Sequence, residues 1–319
     1  MKLSAIYDLF IQKGIDTDPR GRKEVEKRFK KLKEKYTKLD KNKKDEFDKE
    51  KLTNPFADTR ILYGDPKTEV KTVLVGIDIE TSEILLADRL NGKGKNIDLV
   101  IAHHPEGKAF AAISEVMSVQ VDVLNKYGVP INIAEGVSMA RIGEVRRLVS
   151  PFNHSRPVDA AKILDIPYMC VHTAADNMVY DYLEKFMRQK KPETVGEVVD
   201  ILKEILEYKE AVKIGAGPMI FSGHGESRVG RIAVTEITGG MEGPKEAYKK
   251  MAQAGIGTVI AMHVSESHKK EAEKHHINII VAGHMASDSL GMNLLLDEIE
   301  KKGVKVIPCS GLIRVKRNK

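Results

Sequence analysis

The apolar residues of the chain form short continuous runs that alternate with longer stretches of helical periodicity. The runs at 72–77, 98–102 and 278–282 are apolar at most positions, which is typical of strands buried on both faces. Between them, residues 81–90 and 109–127 carry apolar side chains at spacings of three and four, which predicts amphipathic helices. A strand, a returning helix and a second strand form a parallel βαβ unit, so the pattern predicts an α/β fold.

The same two patterns extend along the rest of the chain. Further apolar runs predict strands at 130–134, 168–171, 232–237, 258–262 and 305–308. Helical spacing predicts a first helix that ends at Gly14 and later helices at 141–149, 157–164, 194–208, 244–254, 265–276 and 285–302. The glycine-rich segment 215–230 matches neither the P-loop nor the dinucleotide-binding fingerprint, so we expect a turn-rich hairpin there.

A charged segment near the N-terminus stands apart from this alternation. Residues 20–51 contain 15 Lys or Arg against 8 Asp or Glu, so the net charge of +6 is concentrated there and the remaining chain is close to neutral. Its apolar residues Val25, Phe29, Leu32, Tyr36 and Leu39 follow the seam spacing of a long helix with one narrow apolar stripe. Because acidic residues are interspersed, we expect this charged helical arm to pack on the body or on another subunit, not on nucleic acid.

Composition limits the class of protein. A hydrophobic content of 42% is that of a globular chain, and 319 residues suffice for two lobes. We find no charged-then-apolar leader and no apolar run long enough to span a bilayer, so we expect a soluble cytoplasmic protein without membrane contact. Cys170 and Cys309 are too few for a disulfide framework and are not spaced as zinc ligands.

The two halves of the chain resemble each other in where they place histidine. A buried strand ends at His103 and His104 in the first half, and buried strands end at His263 and His284 in the second. We therefore predict two similar α/β lobes that share a metal-binding cleft, preceded by the charged helical arm. The predicted divisions are N-terminal helices including the arm at 1–55, a first lobe with the HHP motif at 56–213, and a second lobe with the GHxxxD motif at 214–319.

The adjacent histidines His103 and His104 are the first candidates for chemistry. They follow the run 98–102 and precede Pro105, so they lie at the carboxyl end of a strand, where open α/β sheets bind ligands. Successive strand side chains point to opposite faces, so if both bind metal, two ions are the natural arrangement. From the dipeptide alone, one packed and one solvated histidine is an equal alternative.

Other histidines and carboxylates offer further candidates. His284 and Asp288 are four residues apart, so they share a helical face in a common chelating arrangement. Asp176 follows a strand end, but on the residues alone a helix N-cap is its favoured role. A rival metal cluster in the second half consists of His263, Glu266 and His268.

Two motifs carry a resemblance to a known family. The stretch DLVIAHHP at 98–105 and the stretch VAGHMASDSLG at 281–291 resemble the two metal motifs of the Nif-three-like dinuclear metal centre family, some members of which are labelled GTP cyclohydrolase I type 2. The similarity also covers residues 1–10, 62–105 and 228–291. It implies five metal ligands: His103, His104, Asp176, His284 and Asp288. Asp288 stands where the family has glutamate, and the charged arm has no counterpart.

The resemblance implies a function as well. It implies two divalent transition-metal ions per chain, of zinc, iron, manganese or cobalt, in a ring-shaped homohexamer. Such a site suits hydrolysis of a small molecule, such as a nucleotide or a cyclic amide, by metal-activated water, with His172 as the candidate general acid or base. Two alternatives stay open: a non-catalytic metal-handling or regulatory assembly protein, and a nucleic-acid-associated ring.

Overall fold

The computed structural model describes residues 1–317, so the last two residues of the predicted second lobe lie outside it. The strands within this range are β1 (Arg60–Tyr63), β2 (Thr72–Gly76), β3 (Leu99–Ala102), β4 (Tyr168–Cys170), β5 (Met219–Ser222), β6 (Arg231–Val234), β7 (Ile256–Ala261), β8 (Asn278–Val281) and β9 (Lys305–Pro308). The α-helices are α1 (Leu3–Asp16), α2 (Arg22–Thr37), α3 (Lys41–Glu46), α4 (Thr81–Asn91), α5 (Gly107–Ala111), α6 (Ile113–Val116), α7 (Ser118–Lys126), α8 (Ile131–Val149), α9 (Arg156–Ile163), α10 (Thr173–Lys190), α11 (Val195–Leu202), α12 (Leu206–Val212), α13 (Ala247–Gln253), α14 (Glu266–Lys274) and α15 (His284–Glu300). A 3-10 helix lies at Lys49–Leu52.

The strands form two sheets, which confirms the predicted α/β class. The first sheet has the order β1-β4-β3-β2-β9, and all its neighbours are parallel except the antiparallel pair β1 and β4. The second has the order β5-β8-β7-β6 and is parallel except for β5. Although the sequence-based division placed 214–319 in the second lobe, β9 pairs with β2, so the chain returns to the first sheet near its end.

Both faces of the first sheet are covered by helices, as its continuous apolar strands predict. On one face, Val73 and Val75 pack with residues of α1, α10 and α15. On the other face, Leu74 packs with residues of α4 and α9. The second sheet shares a separate core with later residues of α10 and the first turns of α15. Helices α10 and α15 therefore belong to both cores and form the junction between the lobes.

Two glycines let these junction helices approach closely. A Cβ added to Gly291 of α15 would lie 2.6 Å from the carbonyl oxygen of Ala175 in α10. A Cβ added to Gly14 would lie 2.7 Å from the Cα of Ala174. The prediction that Gly14 ends the first helix is therefore wrong, because α1 continues to Asp16. The glycine instead allows α1 to pack against α10.

Two other predicted elements are wrong. The predicted strand at 130–134 is the start of α8, because Pro130 fixes the backbone ahead of the first turn and the helix continues to Val149. The segment 215–230 is not a hairpin, because β5 pairs with β8 and not with β6. Strand β1, which the sequence analysis did not predict, supplies the antiparallel edge of the first sheet.

The charged arm is three helical pieces instead of one long helix. Two aspartates interrupt it, because the side chain of Asp40 caps the backbone N–H of Lys43 and that of Asp48 caps Glu50. Its apolar stripe is partly covered within the chain: Val25 is buried in the core of the first lobe, and farther along the arm the ring of Tyr36 contacts Phe47 with centroids 4.9 Å apart.

In the range 1–317, no helix has the length and apolar character needed to cross a membrane.

Candidate metal centre

The candidate metal ligands converge at the junction of the lobes. His103 and His104 follow β3, and His172 follows β4 by two residues. Asp176 lies in the first turns of α10, so it is not the helix N-cap, a position occupied by His172. From the second lobe, the loop after β8 leads into α15, which begins at His284 and carries Asp288 one turn later. The carboxyl ends of strands from both sheets thus meet at one place, as expected for ligand sites in α/β folds.

Asp288 lies at the centre of this group and is fully buried. Its Oδ1 lies 3.5 Å from Nε2 of His103, whose Nε2 is also 3.4 Å from Oδ1 of Asp176. Its Oδ2 lies 3.5 Å from Nε2 of His104 and 3.5 Å from Nε2 of His284. The two oxygens of one carboxylate therefore face two different sets of ligands.

These atoms are arranged for cations and not for hydrogen bonds to one another. Both oxygens of Asp288, Oδ1 of Asp176 and Nε2 of His103 are buried and have no hydrogen-bond partner in the described part of the chain. Buried polar atoms are rarely left in this state. Ligands bonded at about 2.1 Å to a tetrahedral ion lie about 3.4 Å from each other, which matches the observed separations. The donor set therefore fits metal.

Three imidazoles are oriented by bonds to their outer nitrogen. In each, Nδ1 bonds an oxygen outside the centre, which leaves Nε2 facing inward, an arrangement common among metal-ligating histidines. The partners are the carbonyl of Val171 for His103 at 3.0 Å, Asp78 for His104 at 2.7 Å, and Asp58 for His172 at 2.9 Å. His172, predicted as a general acid or base, is therefore oriented in the same way as the predicted ligands His103 and His104.

The pKa shifts within the cluster also fit a site for a cation. Burial raises the pKa of Asp176 to about 8, and the nearby Asp288 carboxylate contributes to the rise. Burial also works to raise the pKa of Asp288, but His103 and His104 hold it far below its usual range. Burial lowers the pKa of His284 to about 4, which keeps its ring neutral. Although burial works to lower it, the hydrogen bonds to Asp288 and Asp78 raise the pKa of His104 to about 10. The buried carboxylates therefore call for positive charge, from a protonated ring or from a bound cation.

Within residues 1–317, three overlapping groups of side chains could each hold an ion, with ligand atoms within 4.8 Å of one another in each group. They are His103 with Asp176 and Asp288, His104 with His284 and Asp288, and His103 with His104 and His172. The first two groups together contain the five predicted ligands.

The rival cluster in the second lobe does not form a centre. His268 is held by the carbonyl of Gly243 at 2.9 Å and by Ser265 at 2.7 Å, so its ring is part of the packing. Glu266 is exposed and pairs with Lys270 on the same helix. His263 instead lies beside His284, with ring centroids 4.7 Å apart.

A cavity of about 550 Å³ adjoins the centre and is lined by residues of both lobes. His104, His172, Asp176 and His284 line it on the side of the centre. The other walls combine apolar side chains, two arginines, and polar or acidic side chains: Phe110, Ile113, Phe152, Ile237, Met241, Met262, Arg141, Arg156, Gln120, Asn153, Thr238, His263, Glu80, Glu106, Glu236 and Glu242. This volume lies within the range of small-molecule sites.

Sequence reasoning missed the side chains that orient the imidazoles. Asp78 follows the end of β2, so the rule that singled out His103 and His104 could have found it. Asp58 lies in an irregular segment before β1, and no local pattern marks it. Its contact with His172 joins residues 114 positions apart.

Comparisons with known proteins agree with the fold. No family model and no curated protein matches the sequence. Among solved structures, a NIF3 superfamily protein from Sphaerobacter thermophilus is similar at 26% identity and a TM-score of 0.71, over 80% of this chain and 92% of that one. The chain is similar in fold and sequence to this Nif3 superfamily protein. The resemblance seen in the sequence motifs is thereby confirmed.

Two other solved structures show weaker similarity to this Nif3-like protein. Reduced HcgD from Methanocaldococcus jannaschii is 15% identical with a TM-score of 0.49, over 80% of this chain and 93% of that one. A Bacillus cereus protein related to NIF3 is 11% identical with a TM-score of 0.43, over 82% and 93% of the two chains. Both scores are below 0.5, so the inferences about the Nif3-like centre rest on its own geometry.

Proposed function

We propose that this Nif3-like protein binds two divalent transition-metal ions around Asp288 and uses them to hydrolyse a small molecule. The observation that carries the proposal is that the two buried oxygens of Asp288 face different ligand sets and accept no hydrogen bond from residues 1–317. Together with His103, His104, Asp176 and His284, Asp288 would hold the two ions.

The remaining ligands divide between the two oxygens. His103 and Asp176 lie toward Oδ1 of Asp288, and His104 and His284 lie toward Oδ2. We assign His172 to metal binding as well, because its Nε2 faces inward beside the first set. Nitrogen and carboxylate ligands without thiolate favour zinc, iron, manganese or cobalt over copper(I).

When bound, a pair of such ions lowers the pKa of water and polarises the bond to be broken. The chain supplies the rest of the site. Burial of Asp176 and Asp288 fixes the ligand carboxylates before a substrate arrives, which favours catalysis through preorganisation. Ile237 and Met262 offer apolar contacts in the adjoining cavity, while Arg141 and Arg156 offer donors for a polar group of the substrate.

The test compares the parent with Asp288→Asn and with Asp159→Asn, a change at an exposed residue of α9 that pairs with Lys162. Each protein, prepared without chelator and then reconstituted, is assayed for metal content and for hydrolysis of 4-nitrophenyl acetate, 4-nitrophenyl phosphate and dihydrouracil. We expect the parent and Asp159→Asn to hold about two ions and hydrolyse at least one probe, and Asp288→Asn to lose both properties. A metal-loaded parent that is no more active than Asp288→Asn on any probe would favour the metal-handling alternative.

The assembly is also a proposal. The resemblance supports a homohexamer of this 35.5 kDa chain, and light scattering of the purified protein measures its mass directly.

The cavity beside the centre favours an enzyme over a protein that only stores metal, because storage needs no substrate space. Arg28 and Lys51 of the arm pair with Asp122 and Glu115 of the body, which makes a nucleic-acid-binding ring the least favoured alternative.

A further inference from the structure

The segment 54–60 joins the charged arm to the first sheet and carries two buried charged residues. Asp58 and Arg60 are 0% and 1% exposed. They serve different neighbours: Asp58 contacts the metal centre, and Arg60 contacts the arm. Because they are two residues apart, the segment connects the arm to the centre.

Asp58 fixes the ring of His172. Its Oδ2 accepts hydrogen bonds from Nδ1 of His172 at 2.9 Å and from the hydroxyl of Thr173 at 2.6 Å. The neighbouring Thr59 accepts the backbone N–H of His172 at 3.1 Å. Ring and backbone of His172 are thus both held by this segment, and Nε2 is left 3.8 Å from Oδ2 of Asp176.

Arg60 fixes the segment to the arm. Its guanidinium contacts Asp48 at 2.7 Å and Glu50 at 2.6 Å, and its Nε donates to the carbonyl of Ala57 at 3.0 Å. Glu50 also accepts from Lys108 at 2.9 Å. A buried guanidinium that lost a carboxylate partner would be left with uncompensated charge. The arm carboxylates therefore hold Arg60, and through it the backbone beside Asp58.

We propose that Asp58 is a positioning residue for His172, and that Asp48 and Glu50 of the arm hold Asp58 in place through Arg60. The proposal rests on the metal-binding function proposed above. A carboxylate that accepts the Nδ1 proton of an imidazole fixes the tautomer and makes Nε2 a better ligand, and loss of such a partner costs about 10- to 100-fold in metal affinity. The arm thereby acquires a role in the centre as well as in packing.

The first test is titration of the metal-free protein with Co²⁺, followed by its visible absorption. We expect Asp58→Asn to weaken the binding of one ion by about 10- to 100-fold, while the exposed control Asp159→Asn titrates like the parent. Parent-like affinity in a folded Asp58→Asn variant would overturn the positioning role. Asp288→Asn, titrated beside them, separates the two proposals: if it too binds Co²⁺ like the parent, the metal centre itself is wrong.

The second test is a double-mutant cycle with Glu50→Gln, and the single variant Glu50→Gln still tests the arm if Asp58→Asn does not fold. If the arm acts through Asp58, Glu50→Gln should weaken Co²⁺ binding in the parent by severalfold and add little in the Asp58→Asn background. A merely structural arm would give a lower melting temperature with unchanged Co²⁺ affinity, and that result would overturn the coupling.

Discussion

At the scale of single residues, Asp288 is where the two ligand sets of the centre meet. The sequence resemblance placed aspartate where the family has glutamate, and the structure indicates how the shorter side chain fits. Gly291 allows α15 to lie against Ala175 of α10, and Asp288 is then within 3.5 Å of His103, His104 and His284. The close approach of the helices thus brings the shorter carboxylate within reach of all three imidazoles.

This fit predicts that Asp288→Glu weakens metal binding. The extra methylene adds about 1.5 Å of reach in a fully buried position, so the carboxylate would be pushed into the surrounding imidazoles. We expect at least a roughly tenfold loss of Co²⁺ affinity, a typical size for disturbing a metal site. Affinity equal to or above that of the parent would mean that the site has room for glutamate.

The raised pKa of Asp176 predicts that this residue supports metal binding but lowers the stability of the metal-free protein at higher pH. Burial raises this pKa from 3.8 to about 8, so between these values the metal-free folded state keeps a proton that the unfolded state has lost. The contribution of Asp176 to the stability of the metal-free protein should therefore fall as pH rises from 4 toward 8. Asp176→Asn should flatten this dependence, hold or raise the metal-free melting temperature at pH 8, and weaken metal binding.

Thermal denaturation of both proteins from pH 5 to pH 8, in the presence of chelator, checks the stability part of this prediction. Parallel slopes for the parent and Asp176→Asn would show that Asp176 does not retain the proton.

At the scale of elements, α10 and α15 set the geometry of the centre because each packs into both cores. Sequence periodicity located α15 to within two residues and the strands β2, β3, β4, β7 and β8 to within about two, since continuous apolar runs with polar ends are a strong local signal. It failed at 130–134, where an apolar run beside Pro130 begins a helix. It also missed the contact of Asp58 with His172, which depends on long-range packing.

The close contact of α15 with α10 predicts the effect of Gly291→Ala. The added methyl would lie 2.6 Å from the carbonyl of Ala175, so the helices must separate, at a cost of about 1–3 kcal/mol, and Asp288 must move away from Asp176. We expect lower stability and weaker Co²⁺ binding together. The matched control is Gly136→Ala in α8, where no atom lies within 4 Å of the new methyl and a gain of up to about 1 kcal/mol is expected from helix propensity.

Chemical denaturation and Co²⁺ titration of both glycine variants measure these effects. Loss of stability without loss of metal affinity in Gly291→Ala would mean that α15 does not set the position of Asp288.

At the scale of the whole molecule, the arm is attached to the body by buried and charged contacts. Arg28 pairs with Asp122 of α7 at 2.9 Å, and Asp48 and Glu50 pair with Arg60. Removing residues 20–51 would leave Arg60 without these partners, so we expect a lower melting temperature by differential scanning calorimetry. A change of mass in light scattering would add a role in assembly, whereas tight, salt-sensitive binding of the intact protein to DNA would contradict the packing role.

The most direct test of the metal centre is a crystal structure of protein loaded with Zn²⁺, with anomalous diffraction measured on both sides of the zinc absorption edge. We expect two anomalous peaks, one beside each carboxylate oxygen of Asp288, with His103 and Asp176 at the first and His104 and His284 at the second. A single peak, or peaks that do not contact Asp288, would contradict a dinuclear centre at the junction of the lobes.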